Sequence, residues 1–266
     1  MRDITIGQFY NVDSVIHRLD PRVKIAFALI YVMTLFFGKT PILCAVELIV
    51  LATYIKLSRV PLRFIFRGLK ALGGILVLAA LMNLVTVKGA QVIFEWRFVR
   101  ITEAGVNAAV YTTIRLIFII IGSSMMTYTT TPNALTDGLE KMLGWLKVFH
   151  VPVHEFAMIM AVALRFVPVL VEELDKIMKA QMARGIDFNE GNLIVRLRKL
   201  IPILIPLMVS AMRRSHELAL AMDARCYNGG EGRTKMKPLN YQRRDYIAYG
   251  LILFYVVGMV VLVILS

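Results

Sequence analysis

The hydrophobic pattern divides this chain into long apolar runs separated by short polar connections. A run of about 20 apolar residues is long enough to cross a bilayer as a helix. The runs predict five crossings, at residues 25–37, 42–55, 71–87, 105–126 and 246–265. Residues 38–41 (GKTP) interrupt the first apolar region. We interpret them as a tight outer turn between two short spans, because lysine and proline are unfavourable at the centre of one long helix.

The segment from residue 128 to residue 245 has a different pattern, because its apolar stretches are short and interrupted. Pro168, Pro202 and Pro206 lie in or beside these stretches, and Arg165 splits the first of them. Runs of this length are more typical of buried or interfacial helices than of membrane spans. The pattern therefore predicts three cytoplasmic or interfacial helices, at roughly 133–149, 153–185 and 192–226.

Apolar residues recur at helical spacing in these segments, which indicates amphipathic helices. The stripes of the first two helices consist of Leu135, Leu139, Met142, Leu143 and Leu146 and of Leu170, Leu174, Ile177, Met178 and Met182. Gly185 follows the second stripe and predicts a left-handed residue at that helix end.

Together these patterns predict an all-α membrane protein with about five transmembrane helices and three cytoplasmic or interfacial helices. Residues 1–24 would form a cytoplasmic N-terminal segment, 25–127 four transmembrane helices, 128–240 a cytoplasmic region and 241–266 the final crossing. Aromatic and β-branched residues are frequent in 88–103, which predicts an extended or hairpin loop at the outer interface.

Composition and charge agree with a membrane location. Hydrophobic residues make up 58% of the chain, and the mean hydropathy is +0.67. Most of the 31 lysines and arginines lie in residues 1–24, 56–70 and 128–245, which the predicted crossings place on one side. This positive-inside pattern predicts a multi-pass plasma-membrane protein whose N-terminus and 128–240 region are cytoplasmic. It also accounts for the net charge of +13 without a nucleic-acid partner.

The sequence gives little support for a catalytic site or a metal-binding site. Gly38-Lys39-Thr40 resembles the end of a phosphate-binding loop, but Met33 stands where that motif requires its first glycine. His150 and His154 have the i, i+4 spacing of metal ligands, but Pro152 lies between them and no further ligand is near. The sequence therefore predicts no nucleotide hydrolysis by this chain, no metal site and no cofactor.

Glu47 and Arg115 are charged residues inside predicted spans, where charges are costly and often functional. Glu47 could serve as a proton relay in a proton-coupled carrier, and a Glu47→Gln variant with unchanged transport would exclude that role. Alternatively, Glu47 and Arg115 neutralise each other or a neighbour inside the bundle.

Two segments, 182–187 (MARGID) and 223–228 (DARCYN), look like copies at an offset of 41 residues. Each places an arginine, Arg184 or Arg225, at the end of a predicted helix, and a preceding alanine leaves room for a partner. A single arginine there could simply complement the helix dipole. Two at matched ends favour docking, because a guanidinium can bond several acceptors in a groove.

The same offset aligns the acidic pair Glu172 and Glu173 with the basic pair Arg213 and Arg214. We therefore predict that the second and third of these helices cross and pair opposite charges near their junction.

Residues 17–22 (HRLDPR), residues 129–132 (TTTP) and the two arginine-tipped ends resemble the transmembrane-component family of energy-coupling factor transporters, the EcfT or CbiQ-like family. The resemblance covers essentially the whole chain. It implies a non-catalytic subunit that joins two cytoplasmic ABC-type ATPases to one small membrane substrate-binding subunit, for import of vitamins or transition-metal ions, with membrane lipid around it.

The resemblance also implies site residues. Docking on the ATPases would fall to Ala183, Arg184 and Gly185 and to Ala224 and Arg225. Cys226 stands where the motif has glycine, so that Asn228 or Gly229 would be needed to end the second helix. Contact with the substrate subunit would involve Leu170, Leu174, Ile177, Met178, Leu204 and Met208. A conventional ABC importer permease and a proton-coupled carrier using Glu47 remain the alternatives.

Overall fold

A computed structural model describes residues 9–37, 40–87, 92–96, 99–149, 151–188, 190, 192–229 and 238–265. In this part of the chain there are eight α-helices, one 3₁₀ helix and one β-hairpin. The α-helices are α1 (Pro21–Phe37), α2 (Pro41–Ser58), α3 (Leu62–Thr86), α4 (Glu103–Thr129), α5 (Pro132–Met142), α6 (Val153–Ala183), α7 (Leu193–Asp223) and α8 (Arg243–Leu265). The hairpin pairs β1 (Val92–Trp96) with β2 (Val99–Thr102), and the 3₁₀ helix covers Leu143–Phe149.

The helical membrane fold agrees with the prediction. Among the described residues, α2, α3, α4 and α8 are long and apolar enough to cross a membrane. The remaining predicted span corresponds to α1, whose 17 residues put it at the short end of the spanning range. The antiparallel hairpin lies where the aromatic and β-branched stretch predicts one.

Packing separates the chain into two compact units. The bundle unit consists of Met1–Met142 and Leu239–Ser266, and the helix-pair unit consists of Leu143–Pro238. The core of the bundle unit includes Tyr31, Leu35 and Met125, all fully buried between α1, α2 and α4. Gly122 on α4 permits this packing, because an added Cβ would lie 2.9 Å from the Tyr31 ring.

A buried polar network joins the start of α1 to the start of α8 within the bundle unit. The Asp245 carboxylate accepts hydrogen bonds from the backbone nitrogen of Asp20 at 2.9 Å and from that of Gln242 at 2.8 Å. Asp20 in turn pairs with Arg22 at 2.9 Å. Lys24 donates to the carbonyl of Thr129, the last residue of α4, over 2.8 Å. These bonds give the HRLDPR run a structural function.

The helix-pair unit contains the 3₁₀ helix and the two 31-residue helices α6 and α7. Both long helices lie within a few residues of their predicted bounds. The prediction of one helix at 133–149 was wrong, because α-helical bonding stops at Met142 and a 3₁₀ helix follows. Gly144 explains part of this change, since glycine disfavours an α-helix by about 1 kcal/mol. The stripe from Leu135 to Leu146 therefore does not form one α-helical face.

Candidate functional site

The end of α6 is a closed backbone turn that presents Arg184. The backbone nitrogen of Gly185 donates to Met182 O over 3.0 Å, and that of Ile186 donates to Gln181 O over 3.2 Å. These two bonds form a Schellman motif. Gly185 has φ of 87°, the left-handed conformation that its sequence position predicts.

The end of α7 repeats this turn residue for residue at the offset of 41. Cys226 N donates to Asp223 O over 2.9 Å, and Tyr227 N donates to Met222 O over 3.1 Å. Cys226 itself has φ of 54°, so it occupies the position that Gly185 occupies at the other end. The expectation that Asn228 or Gly229 would replace the missing glycine was therefore wrong.

Both arginines lie in exposed surroundings. Arg184 and Arg225 are exposed, and so are the alanines before them, Ala183 and Ala224. Within the described part of the chain, neither guanidinium forms an ion pair. No other part of the described protein comes within 4 Å of a Cβ added at Gly185. Each turn can thus offer a guanidinium, with little steric obstruction, to acceptors on another molecule.

The contact between α6 and α7 contains the predicted ion pair. Arg214 Nη2 lies 2.9 Å from Glu173 Oε2, and Arg214 Nε donates to the same oxygen over 3.2 Å. Ser210, which the sequence does not single out, donates to Glu173 Oε1 over 2.5 Å. The Ser210 hydroxyl and the Arg214 guanidinium hold the pKa of Glu173 below its usual value. The carboxylate is therefore ionised at neutral pH.

The apolar stripes differ in exposure. Leu170, Leu174, Ile177 and Met178 on α6 are half-buried, whereas Leu204 and Met208 on α7 are each 57% exposed. The exposed face of α7 is larger than its two predicted members, and includes Leu200, Ile201, Leu204, Ile205, Met208 and Met212. An exposed apolar surface of this kind suits contact with lipid or with another protein. Periodicity alone did not identify it, because α7 is apolar on most sides near its prolines.

The two intramembrane charges lie in different surroundings. Glu47 on α2 is 2% exposed, and its Oε1 atom has no hydrogen-bond partner among the described residues. Arg115 on α4 lies with its guanidinium 5.8 Å from the centre of the Phe36 ring. Mutual neutralisation and a proton relay both remain predictions.

Two sequence patterns considered for chemistry lie partly outside the described residues. The histidine pair lacks His150, and the segment resembling a phosphate-binding loop lacks Gly38 and Lys39. Within the described ranges, no cluster of three or more histidine, cysteine or acidic side chains is arranged to hold a metal ion.

Membrane-length helices, together with a pair of long helices that end in matched, exposed arginine turns, are the features of a multi-pass membrane protein. Comparison with known proteins specifies which one. The chain belongs to the CbiQ family, whose model, described as cobalt transport protein, matches residues 13–236.

Relatives from several bacteria agree with this assignment. The chain is 47% identical over 251 residues to the energy-coupling factor transporter transmembrane protein EcfT of Ruminiclostridium cellulolyticum, covering 94% of each chain. It is 47% identical over 251 residues to EcfT of Clostridium kluyveri, covering 93% of this chain and 92% of that one. Identity to EcfT of Bacillus subtilis is 39% over 245 residues, covering 92% of each. The family resemblance found in the sequence is thereby confirmed.

Proposed function

We propose that this chain is the coupling subunit of an energy-coupling factor importer. It would transmit motion from two cytoplasmic ABC-type ATPases to one small membrane substrate-binding subunit, for uptake of a vitamin or a transition-metal ion. The observation that carries this proposal is the repeated turn: two long helices end in the same hydrogen-bonded motif, and each presents an exposed arginine. Two equivalent ends suit two equivalent partner sites.

The chemistry of each end suits insertion into a groove. A guanidinium donates five hydrogen bonds in a fixed planar arrangement, which a lysine cannot reproduce. Ala183 and Ala224 add little bulk beside it, so a partner surface can come close to the backbone. The Schellman turn fixes the direction in which each arginine leaves its helix, and this lowers the entropy lost on docking.

The substrate-binding subunit would contact the apolar faces of the same helices. Leu204 and Met208 on α7 are the most accessible of the predicted contacts, and the half-buried residues Leu170, Leu174, Ile177 and Met178 on α6 would border them. Association of exposed apolar surfaces is driven by removal of their area from water or lipid contact.

Transmission would be mechanical. Closure of the ATPases would move the arginine ends, tilt α6 and α7, and change the contacts of their apolar faces with the substrate-binding subunit. Such coupling requires different contact free energies in the two states. The positive-inside pattern supports a cytoplasmic location for the N-terminal segment 1–24 and for region 128–240, where the ATPases could reach both ends.

The arginines provide the direct test. Replacing both Arg184 and Arg225 with alanine is expected to abolish co-purification of the ATPases and to reduce substrate uptake at least tenfold, because buried arginines at interfaces commonly contribute more than about 2 kcal/mol each. Lysine at either position should also impair uptake, since it retains charge but not the planar donor arrangement. Affinity purification followed by a transport assay measures both effects.

Arg213→Ala is the matched control, because Arg213 is another exposed arginine on α7 that lies away from the turn. It should retain both ATPases and most of the uptake. Normal assembly and uptake in the Arg184→Ala/Arg225→Ala protein would contradict the proposed function.

A further inference from the structure

Gln181 on α6 supplies a hydrogen bond that a proline removes from α7. Pro206 has no backbone N–H, so the carbonyl of Pro202, four residues earlier, lacks its usual helical donor. The side-chain nitrogen Nε2 of Gln181 lies 3.2 Å from this oxygen and donates to it. Gln181 is only 8% exposed, so its amide is shielded from water at the contact between the two helices. The Pro202 carbonyl is partly buried, and a carbonyl shielded from water without a donor would be costly.

Gln181 is also part of the turn that presents Arg184. Its backbone oxygen accepts hydrogen bonds from Arg184 N at 3.1 Å and from Ile186 N at 3.2 Å. Its side chain therefore contacts the proline-interrupted part of α7, while its main chain holds the arginine end of α6. The two contacts are made by one residue, with no intervening flexible segment.

The Arg225 end has the same backbone turn without this link. Met222 stands at the position equivalent to Gln181, and its backbone oxygen accepts from Arg225 N and from Tyr227 N at 3.1 Å each. A methionine side chain has no hydrogen-bond donor. The two arginine ends are thus alike in main-chain geometry and different in their attachment to the neighbouring helix.

A second contact between α6 and α7, made by Glu173, prevents the helices from rotating about the Gln181 contact. Glu173 lies eight residues before Gln181 on α6, about 12 Å along the helix, and binds Arg214 and Ser210 on α7. One link would allow the helices to rotate about it. Two links at this separation oppose rotation, so displacement of the Arg184 end passes to α7.

We propose that Gln181 is a positioning residue that ties the Arg184 end to the proline-interrupted segment of α7, so that movement of Arg184 reaches α7 directly. This inference rests on the proposed function. It makes the two arginine ends unequal: Arg184 acts on both helices through Gln181, whereas the Arg225 end has Met222 in place of this glutamine.

Gln181→Met is the most informative variant, because it keeps the approximate side-chain size, removes the donor and copies the residue at position 222. In the complete complex reconstituted in liposomes, substrate imported per ATP hydrolysed is expected to fall at least threefold, with the amount of assembled complex unchanged. Met222→Leu is the matched control at the other end and should leave this ratio as it is. An unchanged ratio in Gln181→Met would overturn the inference.

The Pro206→Ala variant distinguishes a positioning role of Gln181 from a role in which Gln181 only stabilises α7 by bonding the Pro202 carbonyl. Alanine restores an N–H that can bond the Pro202 carbonyl, but it does not rebuild the link between helices. Relative to Pro206→Ala alone, the Gln181→Met/Pro206→Ala protein should therefore unfold at nearly the same temperature yet still import at least threefold less per ATP. If adding Gln181→Met to Pro206→Ala changes neither quantity, Gln181 only satisfies the carbonyl and the positioning role is wrong.

Failure of the inference can be told from failure of the proposed function. Absence of ATPases from the wild-type complex would overturn both. A wild-type complex with two ATPases and an unchanged import ratio in Gln181→Met would overturn the positioning role alone.

Discussion

Cys226 holds a backbone conformation that usually belongs to glycine. Its φ of 54° lies in the left-handed region, where a Cβ atom crowds the following carbonyl at a cost of about 1–2 kcal/mol. The equivalent position on α6 is Gly185, with φ of 87°. The α7 end keeps the turn because the two backbone hydrogen bonds and the preceding helix determine the conformation more strongly than this one side chain opposes it.

Exchanging these residue types should have opposite effects on stability. Cys226→Gly is expected to raise the free energy of unfolding by about 1 kcal/mol, and Gly185→Ala to lower it by about 1–2 kcal/mol, since both changes act through the left-handed residue. Space is not the cause, because an added Cβ at Gly185 meets nothing within 4 Å. Thermal unfolding of the purified protein in detergent measures both.

Gly144→Ala is the control for this pair. An added Cβ at Gly144 also meets nothing within 4 Å, and Gly144 has no left-handed φ. It should not be destabilising. Equal losses for Gly144→Ala and Gly185→Ala would contradict the explanation.

At the scale of elements, α6 and α7 form a pair. An ion pair and a side-chain hydrogen bond connect them. Pro168 lies inside α6, and Pro202 and Pro206 lie inside α7. Each proline removes a helical hydrogen bond, so long helices of this kind need support from outside. The Gln181 amide replaces one of these bonds, and the Glu173–Arg214 pair adds a second contact between the two helices.

The ion pair between α6 and α7 should respond to charge reversal. Glu173→Arg and Arg214→Glu alone are each expected to lower the melting temperature, because each places like charges together where the two helices meet. The double exchange should recover most of the loss. Because the pair is partly exposed, its effect should be modest and should decrease in high salt.

Exchange of Glu172 with Arg213 is the matched control, since both residues are exposed neighbours of the pair. It should show no comparable recovery. If the Glu173/Arg214 exchange fails to rescue stability, this contact does not hold the helices together.

At the scale of the whole molecule, residues near the two ends of the chain join the bundle unit. Asp245 is 2% exposed and accepts from the backbone of Asp20, which precedes it by 225 residues. This contact attaches the first turn of α8 to the residue that immediately precedes α1. The bundle therefore depends on a carboxylate that binds both a nearby residue, Gln242, and a residue distant in sequence, Asp20.

Asp245→Ala is expected to reduce stability by about 1–3 kcal/mol, because it leaves the Asp20 N–H without its acceptor in a buried position. Asp245→Asn keeps one acceptor oxygen and should lose less. Asp13→Ala serves as the control, because Asp13 forms only an exposed pair with Arg18, and it should have little effect. Detergent thermal unfolding compares the three, and equal stability of Asp245→Ala and wild type would contradict the assigned role.

The sequence by itself determined the features that depend on local pattern. Apolar run length predicted the membrane helices, and the stretch rich in aromatic and β-branched residues predicted an extended or hairpin loop. The 41-residue repeat specified the arginine ends and the partners Glu173 and Arg214. These signals are readable because helix periodicity, span length and capping are set by residues close together in the chain.

Only the tertiary structure decided the features that depend on which element approaches which. The left-handed Cys226, the exposed α7 face, and the Asp20–Asp245 contact are examples. The hydrogen bond from the Gln181 side chain to the Pro202 carbonyl is the clearest example. A proline in the sequence indicates that a hydrogen bond is missing from its own helix. The group that replaces this bond comes from another helix, and its position is decided by how the helices pack.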